Sequence, residues 1–195
     1  MPRRRSALML PLLVAACAGP PEPAPLPPVG PIGYRHLTRL PLNVAAIEIL
    51  PAPEAVAAET TPSPAEAVRI MAQDRLVAVG TTGRAVFTTT AASLQRGAGR
   101  LACLVACRLE ILAETGGRLG FVEAQAQRVL TGSEAARPRA AETLLRRTMD
   151  SLNVEFEFQI RRNLRDWLVA VAPGGEGGIP VPAPADVSRE ELPQG

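Results

Sequence analysis

The chain has 195 residues, with 21 arginines and no lysine against 19 acidic residues, for a formal net charge of +2. Arg3, Arg4 and Arg5 account for the excess, so the rest of the chain is close to neutral. A protein that binds nucleic acid is expected to carry a strongly basic patch or stripe, and the charge balance argues against that function. The length is sufficient for one domain with its own hydrophobic core.

The N-terminal residues have the composition of an export signal. The three arginines precede a short apolar run from Ala7 to Ala16, and a positive region, an apolar region and small residues before a cleavage site are typical of a secretory signal peptide. A transmembrane helix would need about 20 apolar residues, whereas Pro11 interrupts this run. Residues 1–16 are therefore predicted to be a signal peptide.

The cysteine that follows makes the prediction more specific. Val14-Ala15-Ala16-Cys17 resembles the bacterial lipobox, in which the cysteine is diacylated and the chain is cleaved before it. An ordinary secretory signal is the alternative, but it gives no reason for a cysteine at position 17. The resemblance implies a lipid on Cys17 that anchors the chain in the cell envelope, facing the periplasm. In the Gram-negative lipoproteins that it resembles, an aspartate after the cysteine retains the protein at the inner membrane, so the resemblance with Ala18 at that position implies the outer membrane.

Proline and glycine delimit the predicted folded part of the chain. The run from Gly19 to Gly33 is so rich in proline that it is expected to be extended, and residues 17–33 are predicted to be the lipidated cysteine and a tether. Residues 172–195 are also rich in proline and glycine and are predicted to be disordered. A single folded domain is predicted over residues 34–171.

Within this domain, the first predicted strand covers Leu42 to Leu50, and a helix follows it. Ser63 is typical of a helix N-cap, Pro64 of the first helical position and Glu66 of a capping box. Gly80 is predicted to end the helix at the C′ position.

Three strands are predicted next. The first covers Ala85 to Leu94, the second begins at Leu101, and the third covers Arg118 to Leu130 after a Thr115-Gly116-Gly117 turn. In the second, apolar residues alternate with others, which is typical of a strand with one buried face. Both remaining cysteines, Cys103 and Cys107, fall on that face. Four residues of strand separate them by roughly 13 Å, too far for a disulfide, so they are predicted to be free core residues.

The last predicted element is a long amphipathic helix from Pro138 to Leu168. Its apolar residues recur at spacings of three and four, as on the buried side of a helix. Residues 154–160 also alternate as a strand would, but no glycine or proline interrupts the helical pattern from Arg139 to Leu168. The predicted order is β-α-β-β-β-α. We therefore expect an α+β fold in which two helices cover a four-stranded, mainly antiparallel sheet.

The sequence shows no catalytic constellation. His36 is the only histidine and is predicted to be a surface residue, and no Cys/His set has the spacing of a zinc site. We therefore expect a protein that is not an enzyme, with no metal site and no cofactor.

Two groups of residues are candidate contact sites. Arg161, Arg162, Arg165 and Trp167 form a basic and aromatic end of the long helix, which could touch anionic lipid headgroups or a partner; cations that complement the helix dipole are the simpler interpretation. The second group consists of small residues of the predicted hairpin. They either let a helix approach the sheet closely or leave a shallow groove: Ala102, Ala106, Ala124 and Ala126.

The lipobox, the proline-rich tether and the long helix with Leu152-Asn153-Val154-Glu155 and Gln159-Ile160-Arg161 together resemble proteobacterial envelope lipoproteins. Their order of elements is similar to that of the ABC-type transport auxiliary lipoproteins. The resemblance implies a non-catalytic auxiliary or scaffold role in lipid transport, with an envelope protein as partner. The alternative is an outer-membrane lipoprotein that regulates a peptidoglycan-synthesis or envelope-assembly enzyme.

The lipid anchor gives a direct prediction. Replacing Cys17 by serine removes the thiol that accepts the diacylglycerol, so we expect C17S to accumulate as unprocessed precursor without lipid label. Metabolic labelling with a fatty acid and the gel mobility of the chain measure both effects. Normal processing of C17S would contradict the lipoprotein assignment.

Overall fold

The computed structural model describes residues 30–52 and 59–169. The predicted signal peptide, Cys17, most of the predicted tether and the predicted tail lie outside the described residues. Those assignments therefore stay predictions from the sequence.

The described elements are six strands, three helices and one 3₁₀ turn. In chain order they are β1 (Leu40–Leu42), β2 (Ala46–Ile49), α1 (Pro64–Arg75), β3 (Leu76–Ala78), β4 (Arg84–Gly97), β5 (Arg100–Leu112), β6 (Arg118–Thr131), α2 (Gly132–Ala135), α3 (Ala140–Asn163) and the 3₁₀ turn (Arg165–Trp167).

The main sheet confirms the predicted α+β fold. Its strand order is β2-β4-β5-β6. The strands β4, β5 and β6 are antiparallel to their neighbours, whereas β2 lies parallel to β4. Parallel neighbours need a crossover connection, and the segment that contains α1 supplies it. The four-stranded sheet is therefore mainly antiparallel with one parallel edge.

The first predicted strand is in fact two short strands in different sheets, so this prediction was wrong in detail. A bend at residues 43–45 separates β1 from β2. β1 pairs in parallel with β3, with Leu40 opposite Leu76, while β2 joins the main sheet. The sequence predicted neither β3 nor this two-stranded sheet.

The predicted end of the first helix was also wrong. The N-terminus is confirmed, because the Ser63 hydroxyl accepts a hydrogen bond of 3.2 Å from the Glu66 amide. However, α1 ends at Arg75, since the apolar residues after it pair with β1. Gly80 has a different role: a Cβ there would lie 2.6 Å from the backbone of Asn43 and of Val44. It permits a close approach of two chain segments.

The core lies on one face of the sheet, under α1 and α3. In β5 the inward side chains have no exposed surface at all. They are Leu101, Cys103, Val105, Cys107, Leu109 and Ile111. Phe87 of β4 and Phe156 of α3 meet edge to face there, with ring centroids 5.7 Å apart.

Both core cysteines are free and buried, as predicted. Burial raises the pKa of the Cys107 thiol to about 12, and it also raises the pKa of Cys103. Reactivity belongs to the thiolate, so these two side chains serve as small apolar core residues.

The long helix is confirmed, although it is shorter than predicted. α3 ends at Asn163, and the chain continues as the 3₁₀ turn. The alternation of residues 154–160 arises from two helical stripes rather than from a strand. Phe156 and Ile160 are fully buried, whereas Val154 and Phe158 are exposed.

The sheet register divides the four small hairpin residues between its faces. Ala124 and Ala126 lie opposite Cys107 and Val105, so they share the buried face beneath α3. Ala102 and Ala106 alternate with those core residues and lie on the other face. The small residues of the buried face therefore permit close helix packing. On the other face Ala102 is partly exposed, whereas Ala106 is buried.

Because the alanines lie on different faces, replacing alanine by leucine should reduce the free energy of unfolding by different amounts at the two positions. Ala124→Leu adds volume beneath α3, where overpacking costs about 1–3 kcal/mol, whereas Ala102→Leu adds volume to an open face and should change stability by less than about 0.5 kcal/mol. Urea unfolding of both variants measures the free energies of unfolding. Equal costs would contradict the assignment of faces.

Candidate interaction surfaces

The three arginines predicted as contact residues lie at the C-terminal end of α3 and in the 3₁₀ turn, and all are exposed. Arg161 forms an ion pair of 2.7 Å with Glu157 one turn earlier. The Arg162 guanidinium lies 5.9 Å from the centre of the Phe158 ring, while the largely exposed Arg165 side chain forms an ion pair of 3.6 Å with Asp166. They form a solvated basic end of the helix.

Trp167 does not form an exposed aromatic site beside these arginines. It is partly buried and packs against the core. Its backbone carbonyl accepts a hydrogen bond of 2.8 Å from the Asn43 amide, and its amide donates to the Leu164 carbonyl. The residue therefore helps to fix the end of α3 against the bend between β1 and β2.

A buried arginine, which the sequence did not distinguish from the surface arginines, joins the two covering helices. The Arg75 side chain at the end of α1 is completely buried. One of its terminal nitrogens donates a hydrogen bond of 2.6 Å to the side-chain oxygen of Asn153, and the other pairs with Glu157, both on α3. Its Nε has no partner among the described residues. Arg75 therefore links α1 to α3 through the polar side chains of Asn153 and Glu157.

The same cluster sets the ionisation of Glu157. Burial alone would raise the pKa of this carboxyl, but hydrogen bonds from Arg75 and Arg161 outweigh it, and the pKa lies below its ordinary value. The carboxylate thus carries charge that both arginines stabilise.

The N-terminal segment of the domain is attached to α1 through Asp74. One carboxylate oxygen accepts a hydrogen bond of 2.8 Å from the Tyr34 amide, and the other accepts one of 3.1 Å from the Arg35 side chain. The Tyr34 ring is buried. Burial and the nearby Asp150 carboxylate hold the pKa of its phenol above its ordinary value.

A cleft of about 330 Å³ opens between this segment and α3. The exposed His36 lies on its wall, which agrees with the prediction of a surface histidine. The lining combines a few polar groups with apolar side chains: Ile32, Gly33, Tyr34, His36, Leu37, Arg146, Asp150, Asn153 and Val154.

The larger surface is the face of the sheet that turns away from both helices, here called the open face. No helix among the described residues covers it. Its half next to the β4–β5 turn is mostly uncharged: Ala91, Ser93, Gln95, Ala102, Leu104, Ala106, Gln125, Gln127 and Val129. A shallow cavity of about 410 Å³ lies there, and Leu104, Arg96 and Arg100 are among the residues that line it.

The other half of the open face is charged and locally neutralised. Arg108 pairs with Glu123 across the two strands, and Arg118 pairs with Glu110 at 3.2 Å. Both arginines lie near the Phe121 ring, at 6.0 and 4.9 Å from its centre. Such exposed pairs contribute little stability, but they border the uncharged half with charged groups on one side.

Two further properties concern the described residues alone. No helix in residues 30–52 or 59–169 combines the length and the apolar character needed to cross a membrane. Over the same residues, histidine, cysteine and carboxylate side chains form no group of three that could hold a metal ion.

No protein-family model matches the chain, and no curated protein sequence matches it. Solved structures that are similar in part include three lipoproteins. A "putative lipoprotein" from Caulobacter crescentus is 12% identical with a TM-score of 0.33, over 58% of this chain and 85% of that chain. A minor lipoprotein from Acinetobacter baumannii is 15% identical with a TM-score of 0.37, over 68% and 98%.

The third, a lipoprotein from Neisseria meningitidis, is 11% identical with a TM-score of 0.27, over 54% of this chain and 96% of that chain. All three TM-scores are below 0.5. The assignment of this chain as a lipoprotein therefore rests on its own residues, Arg3 to Cys17.

The arginine cluster predicts a pH effect on stability. Because the folded state lowers the pKa of Glu157, its ionised form stabilises the fold above the ordinary pKa, and this contribution is lost as the pH falls below about 4.5. Glu157→Gln should therefore lose less stability on acidification than the wild type. Urea unfolding at neutral pH and below pH 4.5 measures the difference.

Glu155→Gln is the matched control, since Glu155 accepts its hydrogen bond from the neutral Gln159 side chain. This variant should keep the wild-type pH dependence. An equal loss of stability in the wild type and in Glu157→Gln would show that the cluster does not stabilise the charged carboxylate.

Proposed function

We propose that the protein is a lipid-anchored lipoprotein of the cell envelope that acts as a non-catalytic auxiliary or scaffold component of an ABC-type lipid-transport system. The observation that carries the proposal is the open face of the main sheet. Protein interfaces have a centre depleted of charge and a polar, solvated rim. The uncharged half of the open face, bordered by the Arg108–Glu123 and Arg118–Glu110 pairs, has this arrangement.

The layered fold supports a binding role in a second way. Both covering helices are committed to the core through their apolar stripes and through Arg75, which links α1 to α3. The open face can therefore be occupied without disturbing the hydrophobic core. A partner that docks there meets rigid strands rather than loops.

The proposed anchor explains why a small binding domain would function at a membrane. A lipid on Cys17 and an extended tether would hold the domain at a distance of tens of ångströms from the bilayer. In this arrangement the domain reaches an envelope partner while its position at the membrane is fixed by the lipid.

Purification of the full-length chain from crosslinked envelope membranes tests the proposal. We expect a permease, an ATPase or a substrate-binding component of a lipid transporter to be recovered with it. Recovery of a peptidoglycan synthase instead would contradict the transport role and support the regulatory alternative. Recovery of neither class would contradict both.

A substitution on the open face tests how the partner is bound. Leu104→Arg places a charge in the uncharged half, where desolvating it would cost several kcal/mol, so recovery of the partner should fall at least about tenfold. Val154→Arg is the matched control, because Val154 is an exposed residue of α3 in the helical layer. Equal recovery with both variants would contradict docking on the open face.

A further inference from the structure

The two edges of the main sheet differ in how well they are protected. The β2 edge has only four residues, and Pro41 and Pro51 stand on either side of it. The β6 edge has 14 residues and contains no proline. Natural proteins usually shorten, twist or charge an exposed edge to prevent pairing with another chain. On β6, between residues 121 and 129, only Glu123 and Arg128 are charged.

The hydrogen bond at the C-terminal end of β6 shows to which side each residue of the strand directs its N–H and C=O groups. The Gly132 amide donates a hydrogen bond of 2.8 Å to the Gly99 carbonyl of the β4–β5 turn, and the register from Gly120 to Thr131 is unbroken. Backbone groups alternate sides along a strand, so the even residues from 122 to 130 bond to β5. The odd residues from Phe121 to Val129 direct their N–H and C=O groups to the free edge. Among the described residues, none pairs with them.

The same odd residues place exposed apolar side chains on the open face beside that edge. Phe121 is 46% exposed and Val129 is 39% exposed. They lie four residues on either side of Gln125, with Glu123 and Gln127 between them. Apolar residues therefore stand at equal distances on either side of Gln125, and so do polar residues.

We propose that β6 pairs with β6 of a second copy of this chain, antiparallel and centred on Gln125, to form a continuous eight-stranded sheet. In this register Phe121 of one copy faces Val129 of the other, and Glu123 faces Gln127. Aromatic and β-branched residues form a favourable cross-strand pair, and no like charges are opposed. The alternative centre at Glu123 would place two carboxylates against each other.

The helical layer continues the same contact surface. The Arg128 guanidinium of β6 donates to the Ser151 hydroxyl of α3 at 2.9 Å, so this side of α3 borders the β6 edge. Phe158 is two helical turns beyond Ser151 and lies on the same side. Its ring is 51% exposed. A second copy bound at β6 would cover part of this ring.

Single cysteines in the full-length, membrane-anchored chain test both the pairing and its register. Facing residues of a hydrogen-bonded antiparallel pair have Cα atoms about 5.5 Å apart, which is within the range of a disulfide. Gln125→Cys should therefore form a disulfide-linked dimer under mild oxidation. Gln127→Cys is the matched control, because its mate in the other copy would lie about 13 Å along the strand.

Two different cysteine variants mixed together test the same pairing without a substitution at position 125. Glu123→Cys and Gln127→Cys, on two differently tagged copies, should form a mixed disulfide, and neither should form one with itself. The unsubstituted chain shows the background from Cys103 and Cys107. A dimer from Gln127→Cys alone would contradict the register, and no dimer above background from any variant would contradict the pairing.

Gln125→Pro gives a second measurement. Proline is tolerated where the lost N–H faces the free edge, so the domain should fold. Its thermal transition should match that of the wild type at protein concentrations at which both are monomeric. The dissociation constant of the dimer, from sedimentation in detergent, should rise at least about tenfold because two hydrogen bonds at the centre are removed. Gln125→Ser retains them and should dimerise as the wild type does. Equal dissociation constants for both variants would contradict the proposal.

Discussion

The register of the antiparallel strands β4, β5 and β6 is the constraint on which the rest of the structure depends. Along β5, one set of alternate residues is completely buried, from Leu101 to Ile111, and the other set forms the middle of the open face. A shift of one residue would exchange the two faces, placing Arg108 and Glu110 in the core. Burial of the apolar set therefore fixes the core, the open face and the backbone groups at the β6 edge together.

The helices depend on that register in turn. Small residues of β6 at positions 124 and 126 let α3 lie close to the sheet, and Arg75 links α1 to α3 through Asn153 and Glu157. An arginine left without these partners in the core would be costly, so the pair also fixes how the two helices meet. With one face of the sheet covered in this way, the other face and the β6 edge are the surfaces at which binding is proposed.

Local patterns of residues predicted much of this fold. The alternation in β5 gave the buried cysteines, the Ser63 cap gave the start of α1, and the spacing of apolar residues gave α3. The errors arose where contacts with segments distant in the sequence determine the local structure. Leu76 to Ala78 continue a helical pattern, but pairing with β1 makes them a strand. Gly80 is required by the close approach of the Asn43 backbone. Arg75 resembled any arginine at a helix end, because its burial depends on residues about 80 positions away.

The division between a buried and an open face can be tested most directly by thiol labelling of β5 in the folded protein. Cys103 and Cys107 are buried, whereas residue 104 lies between them on the open face. A Leu104→Cys variant should react with one maleimide more than the wild type, and the two native core thiols should react only after unfolding. Labelling of Cys103 or Cys107 at the rate of an exposed thiol, or no additional label on Leu104→Cys, would contradict the register.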